Sequence, residues 1–271
     1  MMFASFATTP ITPFVGADVE GLDLGLRPLN QTQIDDVLRA LSMFGVLRFR
    51  RQQLDIELLK RLGSQFGQLH IHTGISGMAE HPEVTKIYSD ENSRHVNGEL
   101  WHSDLSCDEV PPLGSILHMM EVPTDGGGDT AFSSSYTAYE RLSEPMKRYL
   151  EGLTATHDGG VAFSRFDPDR TYPRAVHPVV THHPISGRKV LYVNRAFTSH
   201  INDIPPEEGA ALLRFLCDHS ERPEWSMRFR WEEDTVAFWD NRCVQHLAIW
   251  DYFPQRRLGY RVQIAGDRKP A

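Results

Sequence analysis

The sequence predicts a mainly β protein, a sandwich or barrel of short strands with helices packed outside it. Two observations carry this. From Trp101 onward, short apolar or alternating runs recur between turn residues. Only a few segments show the three-to-four-residue apolar spacing of an amphipathic helix. No internal repeat, low-complexity tract or linker interrupts the chain. One domain over residues 1–271 is therefore expected, near the upper size that a single core organises.

Asn30 can cap a helix in which Ile34, Val37, Leu38 and Leu41 recur at helical spacing, with Gly45 as its stop. Residues 46–50 then read as a strand. Asp55 opens a second helix carrying Leu58, Leu59, Leu62 and Phe66, ended by Gly67. Strands are expected over 115–120, 128–132, 190–193, 227–231, 235–239 and 259–264, punctuated by Pro111-Pro112 and Gly126-Gly127-Gly128. Helical patterns interrupt them at 136–150, where Ser143 precedes Pro145 as a cap before a helix-starting proline, and at 205–219.

A formal net charge of −8, with 40% hydrophobic and 24% charged residues, argues against a general nucleic-acid or anionic-membrane partner. A small anionic substrate stays open, because a few buried arginines can set the local potential. Cys107, Cys217 and Cys243 are widely spaced with no Cys-x-x-Cys pair, so a reduced, cytoplasmic protein is expected, with Cys243 a small buried residue. Residues 1–13 lack a basic segment followed by a long apolar run, so no secretory signal is expected. No stretch reaches the roughly 20 apolar residues of a membrane span.

The chemistry concentrates in His102-Ser103-Asp104 and the distant Trp239-Asp240-Asn241-Arg242-Cys243-Val244-Gln245-His246. In an extended strand, side chains two apart share a face, so His102 and Asp104 can reach one ion together. His246, on a turn after a strand ending at Asp240, would add a second imidazole. Two imidazoles and one carboxylate on one side of a metal leave places open for a cosubstrate and oxygen, the pattern of a mononuclear non-haem iron(II) oxygenase. Zinc is the chemical competitor, although a structural zinc normally takes a fourth protein ligand. Arg257, eleven residues past His246, could hold a carboxylate. His70 and the pair His182-His183 read as supporting or surface residues.

Taken together, these residues resemble the taurine dioxygenase family of iron(II)- and 2-oxoglutarate-dependent oxygenases. The shared blocks are Phe66-Gly67-Gln68-Leu69-His70-Ile71-His72, Trp101-His102-Ser103-Asp104, Gly127-Gly128-Asp129-Thr130, residues 193–198, the Trp239 to His246 block, and Asp251-Tyr252-Phe253-Pro254-Gln255-Arg256-Arg257 with Arg261. The resemblance implies a double-stranded β-helix, or jelly roll. It implies Fe(II) on His102, Asp104 and His246, with 2-oxoglutarate and O2 as cosubstrates. The far carboxylate of 2-oxoglutarate would meet Arg257 and Thr130, while Arg256 points to the opposite face. His72, Phe163, Phe197 and Arg261 would contact a small anionic organic substrate: a sulfonate, sulfate ester or carboxylate. The expected outcome is hydroxylation of a C–H bond with succinate and CO2 as coproducts, since the halogenases of this class lack the Asp ligand.

Two departures from the family pattern, Ile75 and Gly98, remove groups that fix a small amine-bearing substrate, so a longer or more apolar anion than taurine is expected. Residues 157–178 would contribute to a lid, with Gly159-Gly160 giving local mobility. Arg257 and Arg261 share a face unless Gly259 marks a bulge. Relatives of this kind often form homo-oligomers, and one is expected here. Two alternatives remain: a biosynthetic oxygenase of a secondary metabolite on the same iron site, and a non-oxidative metal-binding jelly-roll module. The intact Thr130 and Arg257 weigh against the latter.

Overall fold

The computed structural model describes residues 2–271. The first half of the chain runs β1 (Ala7–Pro10), β2 (Ala17–Glu20), α1 (Gln31–Phe44), β3 (Val46–Phe49), α2 (Ile56–Ser64), β4 (Leu69–His70), β5 (Val84–Ser89), β6 (Gly114–Glu121), β7 (Thr130–Ser134), α3 (Ser135–Glu140) and α4 (Glu144–Leu150). The second half runs β8 (Thr154–Asp158), α5 (Gly159–Phe163), β9 (Arg174–Pro178), β10 (Val180–His182), β11 (Lys189–Leu191), β12 (Thr198–Ile201), α6 (Pro206–Ser220), β13 (Ser226–Phe229), β14 (Thr235–Asp240), β15 (Val244–Ala248) and β16 (Arg257–Ile264).

The large sheet has the order β1-β2-β3-β14-β6-β16-β4, with β5 also paired to β16. A three-stranded sheet, β13-β7-β15, packs against it. Val46, Leu117, Met119, Ala237 and Trp239 of the large sheet meet Phe132, Met227, Phe229 and Val244 of the small one in a single buried cluster. Strand β14 shows how pleat alternation serves both faces: Ala237 and Trp239 face the small sheet, while Val236 and Phe238 face α1 and α2. Both sides of the large sheet are therefore covered, which is why its central strands read as nearly continuous apolar runs. The result is the expected jelly roll with flanking helices. Two smaller sheets, β12-β8-β9 and β10-β11, complete the strand pairing.

Helix α1 begins as its sequence requires. Asn30 accepts from Gln33 N at 3.0 Å while Gln33 returns the bond to Asn30 N at 2.9 Å. It ends at Gly45, whose φ of +72° and close approach to Val244 leave no room for a side chain. Helix α2 is capped by Asp55, which accepts from Leu58 N, but stops at Ser64, short of Gly67. The single helix expected over 136–150 is two, α3 and α4. Ser143 starts the second by capping Met146 N, so the same signal that marked a helix start also marks the break. Gly159 and Gly160, where local mobility was expected, open α5 under an Asp158 cap, and Gly159 is buried against Tyr172, Pro173 and Cys107.

One buried imidazole on a strand outside the large sheet gives the fold an acid-sensitive point. His157 on β8 is fully buried, hydrogen-bonded through Nδ1 to Ser106 Oγ at 2.9 Å and stacked on Tyr192. Burial, with the nearby His177 adding to it, lowers its pKa to about 3. A lowered folded-state value means the unfolded chain binds the proton first as pH falls. Stability should therefore be unaffected above the ordinary histidine range and be lost below it, by up to about 1.4 kcal/mol per pH unit from this group. Urea midpoints measured from pH 7 to 5 should fall, and His157→Gln should make that slope shallower.

Candidate active site

The two candidate histidines are cross-strand neighbours. His246 sits in the middle of β15, opposite Phe132 of β7, and not on a turn after β14 as the sequence led us to expect. The turn lies earlier, at residues 240–243, and β15 has already re-entered the small sheet. His102 pairs with His246 in an isolated antiparallel bridge: His102 N donates to His246 O at 3.0 Å and His246 N donates to His102 O at 2.7 Å. The expected extended strand through Asp104 is also absent. After this one bridge the chain turns over residues 104–107, with Leu105 at a φ of +46°. The turn, not a strand pleat, aims the Asp104 carboxylate back at the imidazoles.

Asp104 Oδ1 stands 3.6 Å from His102 Nε2 and 3.8 Å from His246 Nε2, and the three candidate ligand atoms all lie within 4.8 Å of one another. Atoms about 2.1 Å from a shared ion stand roughly 3–4 Å apart, so the set fits a metal. The donor chemistry agrees. His102 Nδ1 is engaged with Leu100 O at 2.7 Å, which puts the ring proton there and the lone pair on Nε2. His246 has no protein hydrogen bond at Nδ1; its ring is held by packing between Trp239 and Phe132, at 4.9 and 5.7 Å between centroids. Burial lowers the His246 pKa well below the usual range, as a neutral ligand requires. Burial pushes the Asp104 carboxyl up, but the Arg261 guanidinium and the two imidazoles outweigh it and hold the carboxyl well below its ordinary range.

Next to this set lie two buried guanidiniums. Arg257 and Arg261 both come from β16 and both line the same pocket, although a register shift between Leu258 and Gly259 makes the bulge that Gly259 hinted at. Arg257 Nε donates to Gly128 O at 3.0 Å and its guanidinium lies near the Trp231 ring, leaving its terminal nitrogens unbonded to protein. Thr130 Oγ1 accepts from Trp231 Nε1 at 3.0 Å; the indole can only donate, so the threonine proton is available to an acceptor in the pocket. Arg261 Nη1 donates to Asp104 Oδ1 at 3.0 Å. Arg256 points away, to Glu121 at the surface.

The remaining wall contains every sequence-predicted substrate residue. His72 Nδ1 accepts from Gly74 N and Ile75 N at 2.9 and 3.0 Å, so its proton sits on Nε2. Burial, then the charge of Arg261, lowers its pKa to about 3, so it faces the pocket as a neutral donor. Phe163 packs edge-on against His72 and Phe197, and Phe197 against His102. Gly98 lines the pocket at a φ of +86°, where a side chain would press on His102 Cε1. At the mouth, Arg165 of the segment after α5 pairs with Glu99 at 2.6 Å. Of these partners, Trp231, Glu99 and Arg165 carried no sequence signal as site residues; strand register and long-range packing bring them in.

A second group of possible ligands, His183, Asp240 and Cys243, is a closed structural knot. Arg242 forks onto both Asp240 oxygens at 2.8 and 2.6 Å and His183 takes Oδ2 at 3.0 Å, so the carboxylate is saturated. Burial raises the Cys243 thiol well above its usual range, consistent with the small buried residue expected there. His183 is thus a core residue and not a surface one.

Fold and site together define a jelly-roll protein with two histidines and one carboxylate on one side of a metal position, in a pocket bearing two arginines. Comparison with known proteins agrees: residues 7–263 match the family described as "Taurine catabolism dioxygenase TauD, TfdA family". The chain belongs to this family. Among solved structures, a taurine dioxygenase from Burkholderia xenovorans superposes with a TM-score of 0.84 at 35% identity, covering 97% of this chain and 92% of its own. An alpha-ketoglutarate-dependent sulfonate dioxygenase of Saccharomyces cerevisiae is 31% identical over 280 residues, 95% of this chain. A Schizosaccharomyces pombe relative is 34% identical over 260 residues, 89% of this chain. The chain spans 66% and 65% of those two yeast proteins' lengths.

The Arg261–Asp104 pair has a measurable consequence in the metal-free protein. Asp104→Ala strands a guanidinium that is 7% exposed. The loss of stability should be roughly 3 kcal/mol, the lower end of the range for a broken buried pair, because the pocket admits some water. Adding Arg261→Met should restore much of it, as read by denaturant midpoints of the two variants.

Proposed function

We propose that this protein is an Fe(II)- and 2-oxoglutarate-dependent dioxygenase that hydroxylates a C–H bond of a small anionic organic substrate, a sulfonate, sulfate ester or carboxylate. The observation that carries this is the convergence of His102, Asp104 and His246 beside Arg257 and Arg261 in one pocket. When bound, ferrous iron with 2-oxoglutarate and O2 supplies the oxidation: the keto acid loses CO2 and becomes succinate, and the second oxygen atom enters the substrate.

Each protein group has a separate duty. His102, Asp104 and His246 hold the metal. Arg257 offers two terminal N–H edges and Thr130 one O–H to the distal carboxylate of 2-oxoglutarate. Arg261 and the His72 Nε2–H stand where an anionic head group would meet them, and Phe163 and Phe197 wall the body of the substrate. Two guanidiniums, a divalent ion and one carboxylate leave three positive charges in the pocket. The diacid cosubstrate removes two of them. One remains, and burying it calls for a singly charged anion.

The same count disfavours an amine-bearing substrate. The carboxylates lining the pocket are Asp104, which the metal and Arg261 engage, and Glu99, which Arg165 neutralises. An ammonium group would find no unpaired carboxylate, and Ile75, Phe163, Phe166 and Phe197 present apolar surface instead. An apolar anion such as an alkyl sulfonate, alkyl sulfate or aryloxyalkanoate fits better than taurine. A cytoplasmic, reducing setting is the companion reading, supported by three buried, unpaired thiols.

Anaerobic addition of Fe(II) and 2-oxoglutarate should give a weak visible charge-transfer band that His102→Ala abolishes. Arg257→Ala should weaken 2-oxoglutarate binding on the order of 100-fold, the loss of two charge-assisted hydrogen bonds, while leaving metal affinity unchanged. In a panel scored by succinate release, apolar sulfonates, sulfates and carboxylates should exceed taurine; taurine turned over best would defeat the substrate reading alone.

A further inference from the structure

The two oxygens of Asp104 face different surroundings. Oδ1 points at both imidazoles and at Arg261. Oδ2 points into the protein and accepts from Ser115 Oγ at 2.6 Å. We propose that Ser115, oriented by Asn241, is a positioning residue that holds Oδ2 off the metal, so that Asp104 ligates through Oδ1 alone. This rests on the reading of His102, Asp104 and His246 as metal ligands and adds to it how one of them is restrained.

The direction of that hydrogen bond is fixed by a relay. The Trp239 indole can only donate, and it does so to Asn241 Oδ1 at 3.0 Å. Asp104 N donates to the same oxygen at 3.3 Å. The Asn241 amide is thereby turned with Nδ2 toward Ser115 Oγ, at 3.4 Å. That contact occupies the acceptor side of the hydroxyl and leaves its proton for Asp104. Ser115 and Asn241 are 0% and 1% exposed, so bulk water does not compete. Ser115 and Trp239 are register partners on β6 and β14, so one strand pair delivers both ends of the relay.

The consequence is a matter of counting. A six-coordinate ion held by two imidazoles and one carboxylate oxygen keeps three places for other ligands. A carboxylate ligating through both oxygens would leave two, which a chelating keto acid fills, and nothing remains for oxygen. A hydroxyl bond on Oδ2 is the protein's means of preventing this.

The test uses Mn(II) in place of iron and counts metal-bound water by solvent proton relaxation, with no turnover involved. Ser115→Ala should lower the relaxation enhancement of the Mn(II) protein by about a third, one water of three. With 2-oxoglutarate added, the enhancement should drop to the outer-sphere level, whereas the unaltered protein retains one exchanging water. Ser115→Thr, which keeps the hydroxyl, should behave as the unaltered protein. Unchanged relaxation in Ser115→Ala overturns the proposal, and so does an equal loss in Ser115→Thr, which would assign the effect to packing. If the unaltered protein binds no Mn(II), the metal reading itself fails, an outcome distinct from either of these.

Discussion

The constraint on which the rest depends is the two-bond bridge between His102 and His246. It ties a turn after residue 101 to the middle of a strand in the small sheet, and it does so at the two residues whose side chains must meet. A bridged antiparallel pair places its side chains on the same face within about 5.5 Å at the backbone, so the rings arrive 4.0 Å apart with no further adjustment. Everything else at the site is arranged around that fixed pair. Asp104 is brought in by the turn that follows, and the arginines by the long strand β16.

This placement also explains why the site is buried and heavily charged at once. Two guanidiniums, a carboxylate and several imidazoles are buried between sheets whose common core is Phe132, Phe229, Trp231 and Trp239. Burial of this kind is costly unless each group is paired or neutralised. The protein pairs Asp104 with Arg261 and keeps His72 and His246 neutral. It leaves the terminal nitrogens of Arg257 without a protein partner. The strain of an unsatisfied cation therefore falls where an incoming dicarboxylate removes it.

Much of this was legible in the sequence, and the limits have physical causes. The helix starts were readable because capping is local: Asn30, Asp55 and Ser143 each bond a backbone N–H three residues on. The seven strands the sequence marked lie within a few residues of β3, β6, β7, β11, β13, β14 and β16, because pleat alternation is local too, whereas the other nine strands described were not marked. The candidate ligands and both arginines were singled out by their neighbours in sequence, and all of them line one pocket in the structure. What local reading placed wrongly was the backbone around the ligands. His102 was expected in a strand through Asp104, and a single bridge followed by a positive-φ residue replaces it. His246 was expected on a turn and lies in a strand. Both depend on pairing across more than a hundred positions, which no local window contains. Asn241 lay in a block the sequence marked, but its contact with Ser115, and that of Ser115 with Asp104, were invisible for the same reason.

The polar order of the pocket has a common origin in groups with only one hydrogen-bonding role. The indole of Trp239 can only donate, and through Asn241 it turns the Ser115 hydroxyl toward Asp104. The indole of Trp231 can only donate, and it turns the Thr130 proton toward the site of the diacid. The backbone N–H groups of Gly74 and Ile75 can only donate, and they force the His72 proton onto the nitrogen that faces the pocket. Hydroxyls, amides and imidazoles are ambiguous partners that in water would reorient with each solvent fluctuation. Setting each against a partner that cannot reverse its role removes the ambiguity before any ligand arrives. The ordering cost is then met during folding, and binding of an anion need not reorganise the site.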